Sequence, residues 1–303
     1  MELGLSIFTN NVLPAFIVIG IGVLLDRTIE IDKKTLSRLA IYVLTPSLVF
    51  SSIVQSEADP TQFGLMILYV LVFTVVMIAV AYLVGFVLRW SQEATIGLVL
   101  SIAFVNSGNL GLSIILFSFG EIGFGLGAAF FVATNLTTNT FAAFFAARSR
   151  GAPILPTLAQ VLKLPGIYAF VLALLLRGTL TVPTVVMRPV SLIAQAQIPV
   201  MLMMLGVQLS QTQIGQRYKE ISIGVFLRLV GGAAIAFLLA PLMGLTGLAR
   251  QVAIAQSSTP SAVSSALMAI EFDADADYVV SVIFFSTLLS SVTISILLAI
   301  LIA

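Results

Sequence analysis

The sequence predicts an all-α membrane protein with ten transmembrane helices, arranged as two inverted five-helix repeats. Of its 303 residues, 59% are apolar and only 9% are charged, whereas a soluble domain carries about 25% charged residues. Apolar runs of spanning length recur ten times. The fourth run of each half is interrupted at its centre, by NSGNLG (106–111) and by SSTPSA (257–262). Such paired interruptions are typical of the substrate site of a secondary transporter.

The ten runs are numbered here as spans 1 to 10. A span needs about 20 predominantly apolar residues. Spans 4 and 5 have the shortest boundary, since only Phe-Gly-Glu-Ile-Gly separates them. Span 1 has no basic segment before it and is long enough to cross a bilayer, so we expect it to be the first membrane helix and not a signal peptide. The runs cover 5–25, 36–54, 63–88, 95–119, 122–147, 158–176, 190–210, 221–243, 250–270 and 278–302.

An internal repeat is visible in residues that recur at an offset of about 150, the length of one five-span half. Five spans per half is an odd number, so the second half enters the membrane from the opposite side and the repeats are inverted. This places the repeat boundary between 1–153 (spans 1–5) and 154–303 (spans 6–10). The recurring pairs are Pro14 with Pro165, Pro46 with Pro199, and Asn106 with Pro260.

The basic residues of the loops predict the orientation. With both termini outside, ten Lys and Arg residues lie in cytoplasmic loops and three in outer loops, which is a positive-inside bias. We therefore expect a multi-pass protein of a bacterial cytoplasmic (inner) membrane. The inner set is Arg27, Lys33, Lys34, Arg38, Arg89, Arg148, Arg150, Lys163, Arg217 and Lys219, and the outer set is Arg177, Arg188 and Arg250.

The composition also excludes several classes of function. The chain has no cysteine and no histidine, which excludes disulfides, thiol nucleophiles, histidine-ligated metals and a Ser-His-Asp triad. We therefore expect neither an enzyme nor a bound cofactor. The net charge of +1 gives no indication of nucleic-acid binding. All thirteen acidic residues lie in predicted loops or near span ends, so the mid-membrane acidic relay of many proton-coupled carriers is missing.

The first interruption offers polar side chains in the middle of span 4. Asn106, Ser107 and Asn109 supply amides and a hydroxyl, while Gly108 and Gly111 allow the helix to unwind. Small and amide side chains also hold packed membrane helices together, which is the alternative interpretation. The matching interruption in span 9 favours a binding site.

The second interruption is centred on Pro260, which has no N–H to donate and removes a helical hydrogen bond. Neutral polar residues surround it, and we assign them to the candidate site: Gln256, Ser258, Thr259 and Ser261, with Ser257 beside them. The alternative is a simple proline kink whose freed carbonyls are satisfied by nearby hydroxyls. The interruption in span 4 makes a substrate site the stronger hypothesis.

Two further features of the spans are polar. Asn135 and Asn139 share one face of span 5, because they are four residues apart; they line the cavity or hold span 5 to span 4. Arg228 is the only basic residue well inside a span. Intramembrane charges are functional hypotheses by default, but its position near the cytoplasmic end favours snorkelling or pairing with helix-end carbonyls.

These motifs resemble those of the auxin efflux carrier family, and the chain is identified as a bacterial member. NSGNLGL resembles the family's span 4 signature, with Ser113 where a proline is usual. VAIAQSSTPSAVSSALMAIEFDAD resembles its span 9 stretch, and VFLRLVGGAA places Arg228 where plant members carry an arginine. Asn135 stands where plant exporters have a polar glutamine. The resemblance runs the whole length, without the large central cytoplasmic loop of many plant members.

The resemblance implies an architecture and a function. Spans 1, 2, 6 and 7 would form a scaffold that dimerises through spans 2 and 7. Spans 3–5 and 8–10 would form a mobile transport unit in which spans 4 and 9 cross at mid-membrane. The expected function is export of a small organic anion, a carboxylate or an auxin-like indole acid, by an elevator-type mechanism. Because the spans have no mid-membrane carboxylate and the chain has no histidine, we expect the membrane potential to drive this export.

Two alternatives stay open at this point. The first is a sodium-coupled organic anion symporter of the bile-acid transporter type, with Na⁺ held by neutral oxygens, which sodium-dependent uptake would reveal. The second is a channel, which saturable transport without single-channel currents would exclude.

Overall fold

The computed structural model describes residues 2–29, 31–150, 163–177, 181–212, 215–271 and 274–302. Within these ranges the chain is helical and contains no strand, only one isolated antiparallel bridge. The α-helices, numbered here in chain order, are α1 Glu2–Ile7, α2 Leu13–Thr28, α3 Lys33–Leu39, α4 Thr45–Val54, α5 Pro60–Val87, α6 Gln92–Ala103, α7 Leu112–Arg150, α8 Pro165–Leu176, α9 Thr184–Gln195, α10 Gln197–Ser210, α11 Tyr218–Phe226, α12 Gly232–Leu242, α13 Gly247–Ser257, α14 Ser264–Glu271 and α15 Ala276–Ile302.

Seven helical stretches of the described ranges are long and apolar enough to cross a membrane: Gly4–Thr28, Lys34–Val54, Thr61–Val87, Ser107–Phe141, Thr184–Ser210, Tyr218–Leu242 and Ala276–Ile302. The prediction of an all-helical, multi-pass membrane protein is therefore confirmed, while ten spans in an inverted repeat stay a prediction. The interrupted spans contribute only short pieces, 12 residues in α6 and 11 in α13. Spans 4 and 5 join through a kink at Gly120 (φ 62, ψ −163).

The described residues include four π-helical segments: Phe8–Val12, Ala40–Leu44, Ser107–Gly111 and Leu227–Gly231. Three of them join two α-helices into a longer rod, while Ser107–Gly111 follows a break and leads into α7. The first two end just before Leu13-Pro14 and Thr45-Pro46. A proline ring clashes with the carbonyl one turn earlier, and a wider turn is one way a helix accommodates the disrupted ladder. The other two lie beside the candidate site, and π-segments inside helices are frequent at functional sites.

One predicted boundary is wrong. Span 7 begins at Thr184, directly after Pro183, and not at 190. Arg188 therefore lies in α9 and not in an outer loop. The polar and prolyl residues at this end lower its hydropathy, so the apolar run that predicted span 7 begins only at 190. The loop predicted between spans 5 and 6 falls largely on 151–162, outside the described residues.

The helices pack in two groups. In the first, α2 packs along α10, and α4 packs along α8 and α9. In the second, α5 packs on α6 and α7, α13 packs on α7 and α12, and α15 packs on α11 and α14. The principal bridge between the groups is α4 against α7. Both interruptions of the chain lie in the second group.

Candidate functional site

The two interruptions meet each other. Helix α6 ends at Ala103, and Phe104 is extended (φ −105, ψ 123). Helix α13 ends at Ser257 and the chain becomes helical again in α14. Between these ends, Val105 and Ser261 form an antiparallel bridge. The Asn106 N–H donates to the Pro260 carbonyl (2.8 Å), and the Ala262 N–H donates to the Phe104 carbonyl (2.9 Å). We call residues 104–111 together with 256–262 the crossing.

The hydrogen bonds between the two breaks explain how both helices can be interrupted in a low-dielectric interior. A break releases backbone N–H and C=O groups, which lipid cannot satisfy. Here each break satisfies part of the other, in the manner of two short strands. Other backbone groups of the breaks are satisfied by side chains of the crossing and of neighbouring helices.

The first break is capped by its own asparagine. Asn106 (φ −80, ψ 59) accepts a hydrogen bond on its side-chain Oδ1 from the Asn109 N–H (3.2 Å), as an N-cap residue does. Ser107 and Asn109 are buried in the π-turn that follows. Gly108 lies against Phe131, and a Cβ there would be 2.4 Å from a ring carbon. The break thus needs glycine for space as well as for unwinding.

The hydroxyls of the second break satisfy the helix that precedes it. Ser258 Oγ donates to the Ile254 carbonyl (2.7 Å) and Thr259 Oγ1 donates to the Gln256 carbonyl (2.7 Å). Ser261 Oγ donates across the crossing to the Ser101 carbonyl of α6 (2.5 Å). These three hydroxyl protons are therefore engaged in holding the break together, as the proline-kink alternative proposed.

Unlike these hydroxyls, the side-chain amides of Asn106 and Gln256 have unpaired atoms. Asn106 Nδ2, Gln256 Nε2 and Gln256 Oε1 are buried and have no hydrogen-bond partner among the described residues. Gln256 is wholly buried and Asn106 is 4% exposed. Native proteins rarely leave such groups unpaired, because each costs about 1–3 kcal/mol. Both amides therefore offer hydrogen-bonding groups to a polar partner.

A pocket of small residues holds the Gln256 amide. A Cβ on Gly111 would lie 2.1 Å from Gln256 Oε1, and one on Gly127 would lie 3.4 Å from Nε2. Gly111 belongs to the first break and Gly127 to the next part of α7. The amide is therefore positioned against span 4 and span 5 at once.

Asn135 and Asn139 lie on α7 but are bonded within that helix. Asn135 Nδ2 donates to the Phe131 carbonyl (3.2 Å), and Asn139 Nδ2 donates to the Asn135 carbonyl (2.8 Å). Both side chains are half-buried. The structure brings 106–109 and 256–261 together, whereas no hydrogen bond joins these two asparagines to either break.

Arg228 is bonded to both interrupted helices. Its guanidinium is fully buried, and it donates from Nη1 to the Ile102 carbonyl and from Nη2 to the Ser257 carbonyl. It also lies over the Phe73 ring, with Cζ 5.7 Å from the centroid. Of the two structural interpretations, snorkelling is wrong and pairing with helix-end carbonyls is confirmed.

Sequence analysis missed two contributors to the crossing. The Tyr69 hydroxyl of α5 lies 2.9 Å from Ser257 Oγ, and Ser286 Oγ of α15 accepts from the Ser261 N–H (3.2 Å). A tyrosine inside a continuous apolar span was the available signal for Tyr69, although Tyr82 of the same span shares it. Nothing distinguishes Ser286 from the other hydroxyls of its helix.

The chemistry of the crossing is that of neutral donors and acceptors. Among the described residues, no group of three or more His, Cys, Asp or Glu could hold a metal ion. The free amide hydrogens and helix N-termini suit an anion, such as a carboxylate. No side chain of the crossing titrates near neutral pH, so the arrangement suits binding and not acid–base chemistry.

Comparisons with known proteins identify a family of transport proteins. A family described as membrane transport protein matches residues 7–298. An uncharacterized transporter of Methanocaldococcus jannaschii is 27% identical over 282 residues, covering 88% of this chain and 89% of the relative. An uncharacterized transporter of Methanothermobacter thermautotrophicus is 27% identical over 291 residues, covering 94% of this chain and 95% of the relative.

Proposed function

The chain belongs to the auxin efflux carrier family of membrane transport proteins, and on that premise we propose that it exports a small organic anion. The substrate is a carboxylate or an auxin-like indole acid, carried across the cytoplasmic membrane by an elevator-type movement. The observation that carries the proposal is the pair of buried, unpaired amides, Asn106 and Gln256, where the two breaks meet.

A carboxylate fits the unpaired hydrogen-bond donors of the crossing. It accepts hydrogen bonds from Asn106 Nδ2 and Gln256 Nε2, which lack partners. The helical segments that begin at Ser107 and Ser264 add positive dipole ends and free N–H groups. In this site Ser107, Gly108, Asn109 and Pro260 shape the backbone, and the hydroxyls of 258, 259 and 261 support it.

The packing of the helices supports an elevator. The α2–α10 and α4–α8 contacts join span 1 to span 7 and span 2 to span 6, pairs that an inverted repeat relates to each other. They would form the static scaffold. The crossing and its neighbours α5, α12 and α15 pack together and would move as one body, since rigid-body movement of one bundle against another is the usual form of alternating access.

The membrane potential is the proposed driving force. Moving one elementary charge through 100 mV is worth about 2.3 kcal/mol, or roughly fifty-fold accumulation. With the cell interior negative, this drives an anion outward. The sodium symporter remains the second candidate, but Arg228 already donates to the Ile102 and Ser257 carbonyls, which are oxygens that Na⁺ would use.

The proposed assembly is a homodimer in the lipid bilayer through spans 2 and 7, with both termini outside. Large apolar side chains are exposed on both spans, including Tyr42 (62%) and Val185 (84%), as lipid or a partner surface requires. Because the chain has no native cysteine, cysteines placed on span 2 or span 7 give a clean cross-linking test. Cross-links that form only between spans 4 or 9 of two protomers would reverse the assignment.

The function is tested in proteoliposomes that hold indole-3-acetate and have no sodium or proton gradient. A potassium–valinomycin potential alone should drive flux toward the positive side. Asn106→Ala should lower this flux at least about tenfold, since a hydrogen bond to a charged group is worth about 1.5–3 kcal/mol, and Pro260→Ala should impair it by restoring the helix. Flux that ignores voltage and requires a sodium gradient would favour the symporter.

A further inference from the structure

Arg228 carries a permanent positive charge that has no role in the transport cycle proposed above. An arginine in a protein stays protonated, and burying a charge without compensation is costly. No carboxylate of the described residues lies within ion-pair distance of this guanidinium. Its compensation comes from two backbone carbonyls and the Phe73 ring.

Those carbonyls lie at corresponding positions of the two interrupted helices. Ile102 is in the last turn of α6, and Ser257 ends α13. The C-terminal end of a helix carries about half a negative charge, so the guanidinium neutralises two such ends at once. The helix dipoles redistribute charge but add no net charge. The net charge buried at the crossing is therefore the single positive charge of Arg228.

This charge is fixed to the crossing and not to the scaffold. Arg228 bonds directly to both interrupted helices. A Cβ on Gly232 would lie 2.6 Å from Nη2, so the side chain is also held against its own helix. That helix packs mainly on α5, α6, α13 and α15. Any movement that carries the crossing through the membrane carries the guanidinium with it.

We propose that Arg228 is the built-in counter-cation of the carrier: it makes the anion-loaded transport unit electrically neutral and the empty unit positive. The inference rests on the proposed function, elevator-type transport of a monovalent anion. The membrane potential then acts on the return of the empty unit. The loaded unit crosses outward with no net charge, and the empty unit returns one positive charge to the negative interior. The complete cycle still exports one negative charge.

The test separates the loaded step from the complete cycle in wild-type proteoliposomes. Exchange of labelled for unlabelled indole-3-acetate, saturating on both sides, uses only the loaded step. Net efflux into substrate-free medium also uses the empty return. We expect a potassium–valinomycin potential of about 100 mV to change the rate of exchange by less than about twofold. The same potential should change the rate of net efflux much more, up to the roughly fifty-fold that the movement of one charge allows.

Two variants assign the charge to Arg228. Arg228→Met should make exchange respond to voltage, because the loaded unit is then negative. Arg228→Lys keeps the charge and should leave exchange insensitive. Voltage-dependent exchange in the wild type, or voltage-insensitive exchange in a folded Arg228→Met protein, overturns the inference while net efflux still supports the proposed function. Failure of both exchange and efflux overturns both. If Arg228→Met does not fold, the wild-type comparison decides.

Discussion

Two regions of this protein depend on glycine for close contact, but the atoms that the glycines contact differ. Where α2 packs along α10, a Cβ on Gly22 would lie 2.1 Å from the Met203 carbonyl oxygen, and one on Gly206 would lie 2.0 Å from the Ile19 carbonyl oxygen. At the crossing, the atom nearest to a Cβ on Gly111 is Gln256 Oε1, at 2.1 Å. One contact is with rigid backbone and the other with a side chain.

The two regions also differ in whether their polar side chains have hydrogen-bond partners. At the end of the α2–α10 pair, Asp26 accepts hydrogen bonds from Ser210 Oγ and from Gln211 Nε2. At the crossing, the Gln256 amide has no partner among the described residues. Close packing therefore accompanies paired polar groups in the helix pair and an unpaired amide at the crossing. The glycine content of a membrane helix therefore does not by itself distinguish structure from function.

The largest effect should come from adding a methyl group to the close contact between α2 and α10. Gly22→Ala places a methyl against a backbone carbonyl that moves only if the helices separate, and overpacking of this kind costs about 1–3 kcal/mol. Thermal unfolding of the purified protein should show a clearly lowered midpoint. Gly20→Ala is the matched control, because no atom lies within 4 Å of a Cβ there. It should be neutral or slightly stabilising, since alanine favours a helix by about 1 kcal/mol.

Equal midpoints for these two variants would show that the helix pair tolerates separation. The contrast between a rigid contact and an adaptable one would then be wrong.

An intermediate effect is expected at the crossing. Gly111→Ala should displace the Gln256 side chain and weaken carboxylate binding about tenfold or more, because one hydrogen bond to the anion is lost. The unfolding midpoint should move less than in Gly22→Ala, since a side chain yields more easily than backbone. Binding is measured by the thermal stabilisation that indole-3-acetate produces. Gly64→Ala, which meets nothing within 4 Å, is the control. Unchanged binding in Gly111→Ala would remove Gln256 from the site.

The smallest effect is expected at Asn139. Its amide donates to the Asn135 carbonyl of the same helix, so Asn139→Ala should change net efflux by less than about threefold and stability by about 0.5 kcal/mol or less. Asn106→Ala, whose amide is unpaired, provides the comparison in the same efflux assay. Loss of efflux in Asn139→Ala equal to that in Asn106→Ala would place both asparagines on the substrate.

Local sequence predicted the features of the crossing that follow from backbone chemistry. Two Gly and two Asn in NSGNLG, and Pro260 among hydroxyls, release backbone groups from a helix whatever surrounds them. Helix α6 ends at Ala103 and helix α13 ends at Ser257, next to these residues. Pro14 and Pro46 indicated only the repeat, and the π-segments that precede them were not predicted.

Contacts between distant segments were beyond prediction from the residues alone. Nothing in VFLRLVGGAA indicates that Arg228 reaches the carbonyls of 102 and 257. Nor do Gly22 and Gly206 stand out among 22 glycines. The spacing of Asn135 and Asn139 left open whether they line the cavity or hold span 5 to span 4. It did not predict that both amides donate to their own helix, as an amide can to the carbonyl one turn earlier.

The bridge between Val105 and Ser261 joins two segments that are counterparts in the predicted repeat. These positions differ by 156, close to the predicted repeat offset of about 150. A segment that pairs with its own counterpart is what a two-fold axis produces between identical subunits, an isologous contact. In such a contact between subunits every substitution occurs twice. Within one chain a substitution changes one side of the pairing alone, so Asn106 can lie opposite Pro260.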